Sequence, residues 1–315
     1  MKISQAAHEY VDLKQAMGSR FHAESVVLKA FSRALEDVLL ADVTAEQVMT
    51  FIAGTGSVTR FWHRKLEALR GFYRFAIARG YTQSYPLPER LPRPVRVFAP
   101  YIYTAEELNR LINAAERCVT SRTKLQAPTL RTILLLLYGA GLRISEALCL
   151  TPQDVDLSNS LLTIHESKFY RTRLVPIGPR LTSSLANYGK QRNEWDIPRG
   201  TIASFFVTRH GHPVKRSLVE NTFCRLRQLA NVQRHDGSRY QPRLHDLRHT
   251  FAVHRLVAWY REGADVQRLL PQLSTYLGHV HVSATQRYLT MTPDLLHEAS
   301  MRFEQYARPT EIYHD

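Results

Sequence analysis

Five prolines fall between residues 86 and 100: Pro86, Pro88, Pro92, Pro94 and Pro100. Proline lacks a backbone donor and biases its neighbours towards extended chain, so neither a helix nor a central strand can run through this stretch. The chain must fold on either side of it. This sets three expected regions: a helical domain over 1–85, a linker over 86–100 and a second domain over 101–315. A length of 315 residues suits two domains. Arg90, Arg93 and Arg96 make the linker basic. It reads equally as a strap lying close to phosphates and as a plain basic connector.

Before the prolines, apolar spacing predicts helices over 4–17, 22–38, 44–53 and 57–79, with Thr44 placed as an N-cap. In the last of these, Leu66, Leu69, Tyr73 and Ile77 recur at helical spacing and are expected in the core. The same helix carries Arg60, Arg64 and Lys65, which could lie along a polyanion or be solvated. After the prolines, Thr104-Ala105-Glu106-Glu107 marks a helix start. An apolar helix follows over 129–139, then a turn at Gly139-Ala140-Gly141 and a helix carrying Arg143, Ser145 and Glu146. Alternation predicts strands at 161–166 and 173–177, a hairpin with Lys168 near its tip, and a further strand at 203–207. Helices are expected near 217–230, 246–260, 265–276, 282–290 and 293–306. The fold class is therefore mainly α with a small β-sheet.

The formal net charge of +14 favours a polyanionic partner, either nucleic acid or an acidic membrane. No apolar run is long enough to span a bilayer, and the N-terminus has no secretory pattern. The cysteines (Cys118, Cys149 and Cys224) are odd in number and far apart, which fits a reducing cytoplasm. Cys149, between Leu148 and Leu150, reads as core.

Residues 245–288 concentrate the chemistry. They open with His245-Asp246-Leu247-Arg248-His249-Thr250 and close with Gly278-His279 and, nine residues after that histidine, Tyr288. Transesterification of a phosphodiester without a metal needs an oxygen nucleophile, cations on the phosphoryl oxygens and an acid for the leaving oxygen. Arginine is the best phosphate clamp, because its planar fork stays charged. A tyrosyl phosphoester conserves the bond energy, so the strand can be rejoined without ATP. Each candidate residue is weak alone; their combination and order are specific.

Four boxes then resemble the tyrosine recombinases, the phage-integrase and Xer/Cre family. Gly139-Ala140-Gly141-Leu142-Arg143-Ile144-Ser145-Glu146-Ala147-Leu148 is similar to the first-arginine box. Glu166-Ser167-Lys168, with Arg173-Leu174-Val175-Pro176 after it, resembles the family hairpin. His245-Asp246-Leu247-Arg248-His249-Thr250-Phe251-Ala252 resembles the second-arginine box. Leu277-Gly278-His279 and Thr285-Gln286-Arg287-Tyr288 resemble the terminal box.

The resemblance implies a helical core-binding domain followed by an α+β catalytic domain. It implies that Tyr288 attacks the scissile phosphate to form a 3′-phosphotyrosyl link, with Arg143 and Arg248 clamping the non-bridging oxygens. Lys168 would be the general acid, His245 and His279 would bond to the phosphate, and Glu146 would hold the site's geometry. Arg60, Arg64, Lys65, Arg93, Arg96 and Arg173 would contact DNA. It further implies duplex DNA carrying specific sites as the partner, a tetramer exchanging C-terminal segments drawn from 293–315, no cofactor or metal, and work at the nucleoid. Other recombinases of the same element could also take part.

One departure is a long span between Phe251 and Gly278, which looks more like recombinases of mobile elements than like compact Xer proteins. The rival readings are a zinc site on His245 and His249, four apart but lacking the required glutamate, a DNA-binding regulator without catalysis, a type IB topoisomerase, and a chromosome-dimer resolvase.

Overall fold

The computed structural model describes residues 1–54, 58–89, 92, 99–120, 123–167, 171–195, 204–238, 240–290 and 293–307. Backbone contacts divide the chain into two compact units, Met1–Phe98 and Ala99–Asp315, and the division falls inside the proline stretch.

The first unit is helical: α1 (Ile3–Ala16), α2 (His22–Ala34), α3 (Ala45–Ala53) and α4 (Arg60–Ala78). Thr44 caps α3 by accepting from the backbone N–H of Gln47 at 3.3 Å, and Gln47 Oε1 accepts from the backbone N–H of Thr44. α4 packs against each of the other three helices. Its inward stripe is Trp62, Leu66, Leu69, Phe72, Tyr73 and Ala76, set against Ile3, Tyr10, Leu28 and Phe31. Ile77, expected in that core, is 38% exposed, because the apolar stripe continues through Ala76 instead.

In the second unit, α5 (Ala105–Cys118) begins at Thr104, whose hydroxyl accepts from the Glu107 N–H. α6 (Ala127–Gly139) is buried on several faces and packs against α5, α8 (Pro179–Glu194) and α10 (Asp246–Arg261). That explains its near-continuous leucines. α7 (Ile144–Leu148) follows, then an antiparallel sheet in the order β1 (Val155–Asp156), β2 (Leu161–Ser167), β3 (Arg171–Pro176). The chain continues through α9 (Arg216–Leu229), α10, α11 (Val266–Leu277), the short α12 (Ser283–Gln286), a 3-10 turn at Arg287–Thr290 and α13 (Pro293–Ala307). The long span after Phe251 is thus the length of α10, a turn at Gly263 and the whole of α11.

The architecture is mainly α with a small sheet, as expected, but three local readings change. Among the described residues near 203–207 there is no strand, only an isolated bridge between Val207 and Pro213. The apolar run Phe205-Phe206-Val207 is core because it is tucked beneath α8 and Leu150, with the Phe205 N–H donating to the Leu150 carbonyl at 2.6 Å. α8 was not anticipated. Its buried residues Leu181, Leu185 and Tyr188 have helical spacing, but the surrounding polar sequence masks them. Cys149 is exposed and Cys118 is buried, since the turn that ends α7 points Cys149 outward between two inward leucines. Among the described residues, no helix is long and apolar enough to cross a membrane.

Candidate active site

The site lies within the second unit and begins at the turn after α6. Gly141 has a φ of +60°, and a Cβ there would meet Phe251 Cδ1 at 2.5 Å and Leu277 Cδ2 at 2.9 Å, so the position demands glycine. The turn presents Arg143 as the N-cap of α7, one residue before the helix that was expected to contain it. Its backbone N–H donates to Glu146 Oε2 at 2.9 Å, and its Nη1 donates to Oε1 at 2.6 Å. Nη2 reaches the Gly278 carbonyl at 3.0 Å.

Two further arginines converge on the same carboxylate. Arg173, from β3, donates through Nη1 and Nη2 to the two oxygens of Glu146 at 3.1 and 2.9 Å, and through Nε to the Tyr276 carbonyl at 3.0 Å. Arg248, from α10, is 2% exposed. It donates to the carbonyls of Gly141 at 2.6 Å and Leu277 at 2.5 Å, and its Nη1 lies 3.8 Å from Glu146 Oε2. Gly278, with a φ of +66°, ends α11; a Cβ there would lie 2.7 Å from Arg173 Nη1. Burial alone would raise the Glu146 carboxyl, but bonds and charge from Arg173, then Arg143, outweigh it and hold it at about 2. Burial, then repulsion from Arg143, lowers Arg248 to about 10. Three guanidiniums share one carboxylate, so the cluster carries uncompensated positive charge suited to an oxyanion.

Tyr288 sits in the 3-10 turn after α12 and is 3% exposed. Burial raises its phenol above the ordinary value, opposed by the charges of Arg248 and Arg143. Its hydroxyl lies 3.1 Å from His249 Nδ1. The His279 ring stacks towards it at 6.2 Å, steered by a 2.7 Å bond between His279 Nδ1 and Thr285 Oγ1. His245 precedes α10, and its ring meets that of His249 edge to face at 4.7 Å. Asp246, fully buried, fixes this entry by accepting from the Arg243 backbone N–H and guanidinium at 2.8 Å each. Burial first, then neighbouring cations, lowers His245 and His279 to about 4 and His249 to about 3, so all three are neutral near pH 7.

Arg143, Glu146, Arg248, His245, His279 and Tyr288 are thus brought to one site from segments far apart in sequence. Arg173, expected on DNA, instead lies in the frame of the site with its side chain 10% exposed, because Glu146 takes up its guanidinium. The sequence marks His249 as half of a metal spacing and as part of the second-arginine box, not as a neighbour of the phenol; its place there depends on the fold of residues 262–288. Among the described residues, no group of three or more His, Cys, Asp or Glu side chains is arranged to hold a metal. Lys168, Arg93 and Arg96 lie outside the described residues. Arg60 and Arg64 are exposed on α4. Lys65, on the same helix, donates to the Phe51 carbonyl at 2.6 Å and lies 4.5 Å from the centre of the Phe51 ring.

Residues 102–294 match the phage integrase family. The chain is 34% identical to the integrase/recombinase y4rB of Sinorhizobium fredii over 96% of each protein. It is 31% identical to the tyrosine recombinase XerC of Chlorobaculum tepidum, over 84% of this chain and 78% of that protein. Among solved structures, it resembles the Tn1549 transposon integrase in complex with a circular intermediate DNA, with a TM-score of 0.68 and 16% identity over 95% of this chain and 99% of that one. It also resembles a lambda integrase tetramer bound to a Holliday junction, with a TM-score of 0.65 and 16% identity over 100% of this chain and 80% of that one. The family match spans most of the chain and y4rB is related along nearly its whole length, so the chain belongs to the phage integrase family: it is a tyrosine recombinase, an enzyme that cuts and rejoins DNA through a tyrosine-linked intermediate.

Proposed function

We propose that this recombinase acts on the specific sites of a mobile element, with Tyr288 as nucleophile. The observation that carries the assignment is the placing of a buried phenol beside guanidiniums that outnumber their carboxylate. The scissile phosphate supplies the missing negative charge. Tyr288 attacks phosphorus, forms the 3′-phosphotyrosyl bond and releases a 5′-hydroxyl. Arg143 and Arg248 stabilise the charge gathering on the non-bridging oxygens. His245 and His279, neutral and able to donate, bond to the same group. Lys168 protonates the departing 5′-oxygen. Glu146, with Arg173, holds the two clamping arginines in place.

The substrate is duplex DNA, gripped also by Arg60, Arg64, Lys65, Arg93 and Arg96, with 1–85 and 101–315 as the two DNA-embracing domains. Four protomers act on two sites, and α13 with the residues after it is the segment exchanged between neighbours. The tetrameric lambda integrase supports this stoichiometry. The long α10–α11 span and the likeness to a transposon integrase support the mobile-element role. Work on such DNA places the enzyme in the cytoplasm at the nucleoid.

The test is a nicked suicide duplex carrying the terminal repeats that flank the encoding gene. The protein should become covalently attached to it. Tyr288→Phe should abolish the adduct and leave DNA binding within about twofold, because the phenyl ring keeps the packing. An adduct that survives this change assigns the nucleophile elsewhere.

A further inference from the structure

Strand cleavage leaves one proton without a destination. As the Tyr288 oxygen bonds to phosphorus, its phenolic hydrogen must leave. The arginines of the site are donors only. Both oxygens of Glu146 are taken by Arg143 and Arg173. The Nδ1 of His279 is bonded to Thr285. His249 Nδ1, by contrast, lies 3.1 Å from the phenolic oxygen. The ring is held there by its place on α10, one turn after His245, and Tyr288 is held opposite by burial among residues of α10, α11 and α13.

Given that Tyr288 is the nucleophile, as proposed above, we infer that His249 accepts the phenolic proton during strand cleavage and returns it during religation. The tautomer with hydrogen on Nε2 leaves the Nδ1 lone pair facing the hydroxyl. In the forward step a phenolic oxygen pair forms the O–P bond as Nδ1 takes the hydrogen. The P–O5′ bond breaks, its electrons stay on O5′, and O5′ is protonated by the general acid. His249 ends as imidazolium and the acid as its conjugate base. Religation reverses each transfer, so atoms and charge balance over the cycle.

The electrostatic surroundings suit this role. His249 faces His245, Arg243 and Arg248 from its own helix and the segment before it, and His279 from the turn after α11; Arg143 of α7 and Arg173 of β3 complete the cationic site. Burial, then these neighbours, keeps the imidazole neutral before DNA binds. A phosphodiester entering the cluster adds negative charge and favours protonation as the phenol becomes acidic on bonding to phosphorus.

The experiment measures single-turnover adduct formation by the full chain on the suicide duplex, comparing wild type, His249→Ala, His249→Asn and Tyr288→Phe. Both His249 variants should bind DNA normally and form the adduct about 100-fold more slowly. Asparagine can accept a hydrogen bond near the Nδ1 position but cannot take a proton. It therefore separates proton transfer from positioning, and it carries the test if the alanine variant does not fold. Raising the pH from 7 to 9 should speed both variants about tenfold per unit as hydroxide replaces the base. Sulfur in place of the bridging 5′-oxygen should not restore them, because it relieves only the leaving group. Wild-type rates in His249→Asn, or full rescue by the sulfur substrate, overturn the inference. An adduct formed by Tyr288→Phe overturns the underlying assignment instead.

Discussion

Glu146 is the residue on which three buried or half-buried cations depend. Without it, Arg173 and Arg248 would keep their charge in a region largely closed to water. Removing one partner of such a cluster costs about 3 kcal/mol or more. Glu146→Ala should lower the urea midpoint accordingly and slow adduct formation as Arg143 loses its guide. A urea midpoint equal to wild type would show that the arginines re-solvate freely. pH acts on the same groups. Glu146 is held at about 2 in the fold, below its ordinary 4.5, so its contribution is present above pH 4.5 and is lost as pH falls through about 2. His245, His249 and His279, at about 4, 3 and 4 in the fold against 6.5 when unfolded, act in the same direction. Their neutral burial favours the native state above pH 6.5, and the advantage disappears as pH drops towards 4 and 3. Thermal melts of the DNA-free protein should therefore shift steadily downward between pH 7 and pH 4, and an unchanged melting temperature would contradict the buried, neutral histidines.

At the scale of elements, the site depends on the α6–α7 turn rather than on helix strength. α7 spans five residues, too short to persist on its own hydrogen bonds. It is held by the α6–α7 turn, by the capping carboxylate of Glu146 and by packing of Ile144 and Ala147. At Gly141 a side chain would both strain a left-handed backbone and press on Phe251 and Leu277. Gly141→Ala should cost at least about 2 kcal/mol and reduce cleavage, since the carbonyl of residue 141 anchors Arg248 and the same turn presents Arg143. A denaturation curve matching wild type would mean that α10 and α11 yield to the methyl. The caps of α3 and α5 and, Ile77 apart, the expected inward stripe of α4 could be read directly, because their signals lie within one or two helical turns. α8 could not, because its three buried residues are diluted among polar ones.

Across the whole molecule, the net charge of +14 meets a polyanion with one negative charge per phosphate. Binding to a recombination-site duplex should weaken steeply with salt, roughly a thousandfold between 50 and 200 mM for six phosphate contacts. Filter binding or fluorescence anisotropy across that range checks this, and a flat profile would remove the extensive phosphate footprint. The first unit is built on one apolar cluster, Ile3 to Leu87, and the second on two, Tyr103 to Leu247 and Ala252 to Leu295.

What the sequence offered by itself was the candidate groups and their order, Arg143, Lys168, His245, Arg248, His279 and Tyr288, together with most of the helices around them. Such information is local or carried by motif, and survives without knowledge of the packing. What only the tertiary structure decided was which atoms meet. Arg173 turns from a presumed DNA contact into a partner of Glu146, Arg143 and Arg248 are anchored on the carbonyls of Gly278, Gly141 and Leu277, and His249 comes to rest beside the phenol of Tyr288. The reason is physical. Ion pairs and hydrogen bonds between residues 27 to 135 positions apart have no periodic trace in the chain, and form only when burial of the surrounding helices brings their partners within reach.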